Sequence, residues 1–164
     1  MATIDTINKL IIGAVTEFMK NEISIPNVKL TVKRKNSDLF FGDVVMNDNS
    51  VNKNKFTLHW NPKQGKPMMI QSLIHELTHV KQIAKKELQP APDYKSIYWK
   101  GKEFITVRDY KKIMKKNPNE YKNLPWEKEA YGNMKSKYKK FLQSKYWKDL
   151  QGKDATLDYI IKNI

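Results

Sequence analysis

The chain has no cysteine, three histidines, and only two arginines, Arg34 and Arg108, among its 31 basic residues. Without cysteine there are no disulfide staples and no thiolate chemistry, which agrees with a reducing compartment. No apolar run approaches the ~20 residues that a helix needs to cross a bilayer. The N-terminal stretch carries Asp5 and Lys9 where a secretory signal keeps an unbroken apolar core. The expectation is therefore a soluble, cytoplasmic protein with no transmembrane segment. Internal repeats and low-complexity linkers are missing too. The 164 residues, 40% of them hydrophobic, read as one domain spanning 1–164 with enough chain to bury a core.

What the chain has in excess is lysine, which brings the formal net charge to +14. Lysine-rich surfaces attract polyanions by charge but lack the forked contacts with which arginine reads bases. Nucleic acid, another polyanion such as anionic lipid, and an acidic protein substrate are the partners this composition allows. A solvated lysine surface without a partner fits it equally.

Two of the three histidines fall in Leu73-Ile74-His75-Glu76-Leu77-Thr78-His79-Val80, an H-E-x-x-H motif. Pro67 suits the start of a helix, and neither Gly nor Pro interrupts the chain from there to Leu88. On a helical wheel with His75 at zero, Leu73, Leu77, Val80 and Ala84 cluster between about 140° and 200°. Gln71, Ser72, Thr78, His79 and Gln82 share the arc of His75. Both imidazoles thus sit on a polar stripe, one turn apart, where they can take two corners of a zinc tetrahedron. Glu76 lies about 100° round from His75, beside the open positions. Chance occurrence on an amphipathic helix is the competing explanation.

A third ligand would decide between them. His59 belongs to the alternating stretch Phe56-Thr57-Leu58-His59-Trp60, on the face opposite the aromatic residues. A ligand there is open, although an exposed strand histidine is the commoner case. No histidine follows His79, so a downstream ligand must be a carboxylate. In Pro125-Trp126-Glu127-Lys128-Glu129-Ala130-Tyr131 the helical period puts Ala130, Tyr131, Met134, Tyr138, Phe141 and Leu142 within about 60° of Glu127. An ionised carboxylate at the centre of a buried stripe is costly unless it is paired or bound to metal. Glu129, about 200° round, falls among Asn133, Ser136 and Lys140 and reads as solvent-facing. Glu127 is therefore the expected third ligand, against the simpler alternative of a first-turn acid favoured by the helix dipole.

An H-E-x-x-H helix followed by a helix bearing E-x-x-A resembles the gluzincin branch of zinc metallopeptidases. The phrases Trp99-Lys100-Gly101-Lys102 and Leu124-Pro125-Trp126-Glu127-Lys128-Glu129-Ala130 are similar to those of small phage and bacterial H-E-x-x-H proteins. A strand ending in Asn61-Pro62 just before the helix resembles, more distantly, the SprT-like group. The likeness covers roughly Phe56 to Tyr131. It implies a zincin-like fold, with His75, His79 and Glu127 as ligands of Zn2+ and Glu76 as general base in peptide hydrolysis. Three departures stand out. SprT-like proteases use a third histidine. Many gluzincins have Asp or Asn where this chain has Tyr131. Lys81 occupies a position that the extended motif gives to an apolar residue.

A coarse pass along the chain predicts an α+β domain. A helix over Ile4–Met19 comes first, with strands over Val28–Lys33, Leu39–Met46 and Lys55–Trp60. Turns separate the strands at Asn36-Ser37-Asp38 and Asn47-Asp48-Asn49-Ser50. The small sheet, of three strands or more, packs on the H-E-x-x-H helix. By resemblance to zincins, Phe56–Trp60 is the candidate edge strand for pairing with an extended peptide. A loop over Gln89–Asp93, a hairpin around Gly101, a short helix over Val107–Met114, a long helix from Pro125 to about Leu150 and a last helix over Thr156–Lys162 complete the chain. Tyr131, one turn after Glu127, reads as either an oxyanion donor or a core residue. The functions open at this point are a zinc endopeptidase, a non-catalytic polyanion-binding protein that keeps the fold, and a peptidase recruited to DNA by its lysines.

Overall fold

A computed structural model describes residues 3–35, 42–46 and 55–163, with side chains except in 42–46 and at Thr156. The chain order is α1 (Ile4–Glu22), β1 (Lys29–Arg34), β2 (Gly42–Met46), β3 (Lys55–Trp60), α2 (Lys66–Ala84) and β4 (Leu88–Pro90). It continues as β5 (Ser96–Trp99), β6 (Lys102–Thr106), α3 (Val107–Lys116), α4 (Pro118–Lys122), α5 (Pro125–Leu142), α6 (Lys145–Lys148) and α7 (Ala155–Asn163). The class is α+β. The turns expected at Asn36-Ser37-Asp38 and Asn47-Asp48-Asn49-Ser50 lie outside the described residues, as does the first part of the strand expected from Leu39.

Thr3 caps α1 by accepting the Thr6 backbone N–H on its hydroxyl. From there Ile7, Ile11, Val15 and Phe18 recur at helical spacing and are buried. They meet Phe56, Leu58 and Trp60 of β3, and Leu73, Leu77 and Val80 of α2, in one apolar cluster. On its other side α2 packs along α5. The H-E-x-x-H helix is thereby enclosed on both flanks.

The first sheet has the order β1-β3-β2, with β1 parallel and β2 antiparallel to β3. This overturns Phe56–Trp60 as an edge strand. β3 is paired on both sides, so its N–H and C=O groups are already used. Alternation along a strand sets which face it buries, not its rank in the sheet. Thr57 is buried as well as Phe56 and Leu58, as suits a central strand.

The second sheet has the order β4-β5-β6. Its first strand includes Gln89 and Pro90, where a loop was expected. Pro90 sits opposite Ile97 on the outer strand, a place that tolerates a missing N–H. The expected hairpin turns through Lys100 at φ 51° and Gly101 at φ 84°. Two successive positive φ values are the mark of a type I′ turn, whose twist matches the strands it joins.

One long helix was expected from Pro125 to about Leu150. Instead α5 stops at Leu142, and Ser144 caps α6. The break redirects Trp147 and Leu150 into the core, where the Trp147 ring lies tilted against Phe141 at 5.4 Å. No helix among the described residues is long and apolar enough to cross a membrane.

Candidate metal centre

The helix α2 begins in a turn ending at Gly65 and carries Pro67 in its first turn, where a missing N–H costs nothing. Its register sets His75 and His79 side by side, their rings 4.8 Å apart and their Nε2 atoms 3.2 Å apart. The polar arc they share is turned largely inward. α5 covers it, and Ser72, Thr78 and Gln82 are buried there. Each finds a partner. Thr78 donates to the Ile74 carbonyl and accepts from Asn133, and Ser72 donates to Gln64.

Gln82 does more than fill space. Its Nε2 donates to the Trp126 carbonyl at 3.0 Å, which turns its Oε1 toward Nδ1 of His79 at 2.8 Å. Nδ1 then carries a proton, so that when His79 is neutral the lone pair is on Nε2, the nitrogen that faces His75 and Glu127. That is the tautomer a metal-binding imidazole needs, held by an outer partner.

Into the same spot α5 brings Glu127, only 4% exposed. Its Oε2 lies 3.1 Å from Nε2 of His75 and its Oε1 lies 3.2 Å from Nε2 of His79. Burial works against its charge, but hydrogen bonds from His75 and His79 prevail and bring its pKa to about 2. For His79 burial again opposes the charge and Glu127 outweighs it, so its pKa is raised. The Tyr121 hydroxyl donates to Oε1 of Glu127 at 2.9 Å. Burial and the Glu127 charge push the pKa of that phenol far up, so it stays a donor.

These spacings fit a zinc ion. With ligand bonds near 2.0–2.1 Å, the edges of a zinc tetrahedron are about 3.3 Å. The two Nε2 atoms, 3.2 Å apart, come close to that length. Each has a different oxygen of Glu127 beside it, at 3.1 and 3.2 Å, and one donor atom from each residue lies within 4.8 Å of the other two. Two imidazole nitrogens and one carboxylate oxygen are also an ordinary zinc donor set. Among the described residues, His75, His79 and Glu127 form the one cluster with such geometry. No family model, curated protein or solved structure matches this chain. The chemistry of the centre therefore rests on its own atoms.

Around the three ligand candidates the other expected residues separate. Glu76 is half-buried and close enough to raise the pKa values of His79 and Tyr131. Tyr131 is a wall of the centre, its ring 4.5 Å from that of His75 and edge-on to it. His59 lies on β3, half-buried, and is not part of the cluster. Glu129 is not the loose surface acid expected of it. It pairs with Lys81 at 2.9 Å, and Lys81 also reaches Glu87 at 3.0 Å. The cation at that position of the motif is thus neutralised by two acids, which explains how α2 accepts it where an apolar residue is usual.

Gln82 and Tyr121 were not anticipated as parts of the centre, whereas the aromatic residues of the hairpin were open to two readings, lining the cleft or packing across the strands. Trp126, next to Glu127 and 2% exposed, is held by Trp99 at 6.1 Å, Phe104 at 5.5 Å and Tyr110 at 6.1 Å. The second sheet thus anchors the first turn of α5. Gln82, three residues past the second histidine, was the one of these with a visible signal, since i and i+3 side chains meet on a helix.

Proposed function

We propose that this chain is a zinc-dependent peptidase of the zincin-like, gluzincin type, with His75, His79 and Glu127 as metal ligands and Glu76 as general base. One observation carries this. Two imidazole nitrogens and a buried carboxylate, from helices far apart in sequence, meet within 4.8 Å of one another, with a second carboxylate adjacent. When bound, zinc lowers the pKa of the water in its remaining position toward neutrality and polarises a carbonyl. Glu76 takes the proton of the attacking water and delivers it to the leaving amine. Tyr131 keeps its proton, because burial and the charges of Glu127 and Glu76 raise its pKa, and so remains able to donate to an oxyanion. Among the described residues β2 pairs only with β3 and packs on α2. Its other edge offers the substrate backbone a strand to join, the role first expected of Phe56–Trp60.

The test is metal analysis of the purified protein together with Glu76→Gln. A peptidase of this kind contains one zinc per chain, keeps it in the variant, and loses cleavage. Zinc-free protein that cleaves peptides, or a variant that still does, removes the assignment.

A second function, binding of a polyanion such as nucleic acid, is favoured by α3. Arg108, Lys111, Lys112, Lys115 and Lys116 fall on one exposed face of that helix. Affinity for duplex DNA that drops steeply with salt would support it, and with it a DNA-recruited peptidase.

A further inference from the structure

Lys122 closes α4 directly after Tyr121, the residue bonded to Glu127. That bond fixes where the end of α4 sits relative to the metal centre. From there Lys122 extends its ammonium over the Tyr131 ring, 5.3 Å from the centroid. Tyr131 in turn lies 4.5 Å from His75, so the ammonium is no more than about 10 Å from the His75 ring. The two carboxylates of the centre are already committed. Glu127 is buried against both imidazoles, and the half-buried Glu76 is the proposed base. Among the described residues Lys122 has no ion pair, in contrast to Lys81, which has two. An exposed, un-neutralised cation is thus held at the rim of the centre by an aromatic ring that is itself part of the centre.

We propose that Lys122 is a specificity-determining residue that recognises a carboxylate on the substrate, within about three residues of the scissile bond. This deepens the peptidase assignment and rests on it. The distance follows from chain geometry, since an extended peptide advances about 3.3–3.6 Å per residue. An ammonium is a point charge without a fork, so it takes an Asp, a Glu or a free C-terminal carboxylate alike. The net charge of +14 favours acidic peptides everywhere on the surface. Lys122 differs in being fixed beside the reacting centre, where a carboxylate selects a register and not merely a partner.

The experiment uses zinc-loaded Glu76→Gln protein, which should bind peptides without cutting them. The probes are fluorescein-labelled Ala/Gly peptides of about nine residues, with one Glu moved along the sequence, each beside its Gln twin. Both are made with free and amidated C-termini, which separates side-chain from terminal carboxylates. At low salt, at least one placement is expected to bind about fivefold tighter than its neutral twin, the scale of a partly exposed charge pair. Adding Lys122→Gln should erase that advantage, and Lys122→Arg should keep it. Lys112→Gln, which removes the same charge from α3, should leave it intact. An advantage that survives Lys122→Gln, one lost equally in Lys112→Gln, or none at any placement overturns the proposal. Cleavage is scored separately on the protein with Glu76 intact. If Lys122-dependent binding is seen but no peptide is cut, the carboxylate site stands and the peptidase assignment falls.

Discussion

Tyr121 donates its hydroxyl to Oε1 of Glu127 across 2.9 Å, and the same oxygen lies 3.2 Å from Nε2 of His79. One phenol thus holds an oxygen of the carboxylate that also meets an imidazole. Outer partners of this kind are worth about 10- to 100-fold in metal affinity. Tyr121→Phe is therefore expected to weaken zinc binding about tenfold in a chelator competition, with the secondary structure unchanged. Equal affinity would show that Glu127 needs no such support.

Gln82 links the second histidine to the start of α5, and its two bonds can be cut separately. In Gln82→Leu both are lost: the Nδ1 of His79 is left without its partner, and the Trp126 carbonyl keeps only its helical bond. A loss of about 2–4 kcal/mol in unfolding free energy is expected, with weaker zinc binding. In Gln82→Glu the carboxylate still accepts from Nδ1 of His79 but cannot donate to Trp126. That variant should lose stability yet hold zinc within a few-fold of the parent.

What was legible in the sequence follows the range of the interaction. The i, i+4 placement of His75 and His79 is helix geometry and needs nothing beyond local periodicity. Glu127 could be singled out because an acid at the centre of an apolar stripe contradicts its surroundings. Tyr121 could not, since its bond depends on how α4 folds back before α5. Nor could the central place of β3, because strand order is set by pairing between distant segments. The end of α5 was within reach, since Ser144 is a good cap residue, but an uninterrupted apolar stripe outweighed it. Glu129 was assigned to solvent from one helix alone, and its partner Lys81 sits on another.

Exchange of the two acids of α5 is the direct check on which helix face binds metal. Glu127→Ala is expected to abolish stoichiometric zinc in elemental analysis. Glu129→Ala should keep it, because its side chain contacts Lys81 and none of the three donor atoms. Since Lys81 retains Glu87, the change in stability should stay below about 1 kcal/mol. Zinc lost from Glu129→Ala and kept in Glu127→Ala would reverse the assignment.

The aromatic clamp on Trp126 predicts that damage to the second sheet reaches the metal. Trp126→Ala removes the ring that Trp99, Phe104 and Tyr110 hold, at a cost of about 3–5 kcal/mol. Phe104→Ala, on an exposed clamp residue, is the milder variant. It should fold, with weaker zinc binding measured in the same competition. Unchanged affinity there would mean that α5 is placed by its contact with α2 alone.

Protons and zinc compete for the same nitrogen, and this fixes the sign of the pH dependence. In metal-free protein the pKa of Glu127 is depressed from 4.5 to about 2, mainly by the imidazoles against the opposing effect of burial. Its contribution to stability is present above the unfolded value and is lost as pH falls from about 4.5 through about 2. His79 is shifted the other way, raised from 6.5 by Glu127 despite burial. Its contribution is complete below 6.5 and disappears as pH rises through the higher folded value. Metal-free protein should therefore be most stable at mildly acidic pH and lose stability above neutrality. Zinc requires His79 unprotonated at Nε2, so its stabilising effect should grow over the interval in which the ion pair fades. Thermal unfolding with chelator and with saturating zinc, at pH of about 5, 6, 7 and 8, measures both trends. The gap in Tm between the two samples is expected to widen with pH. A gap that narrows would place the metal on ligands other than these imidazoles.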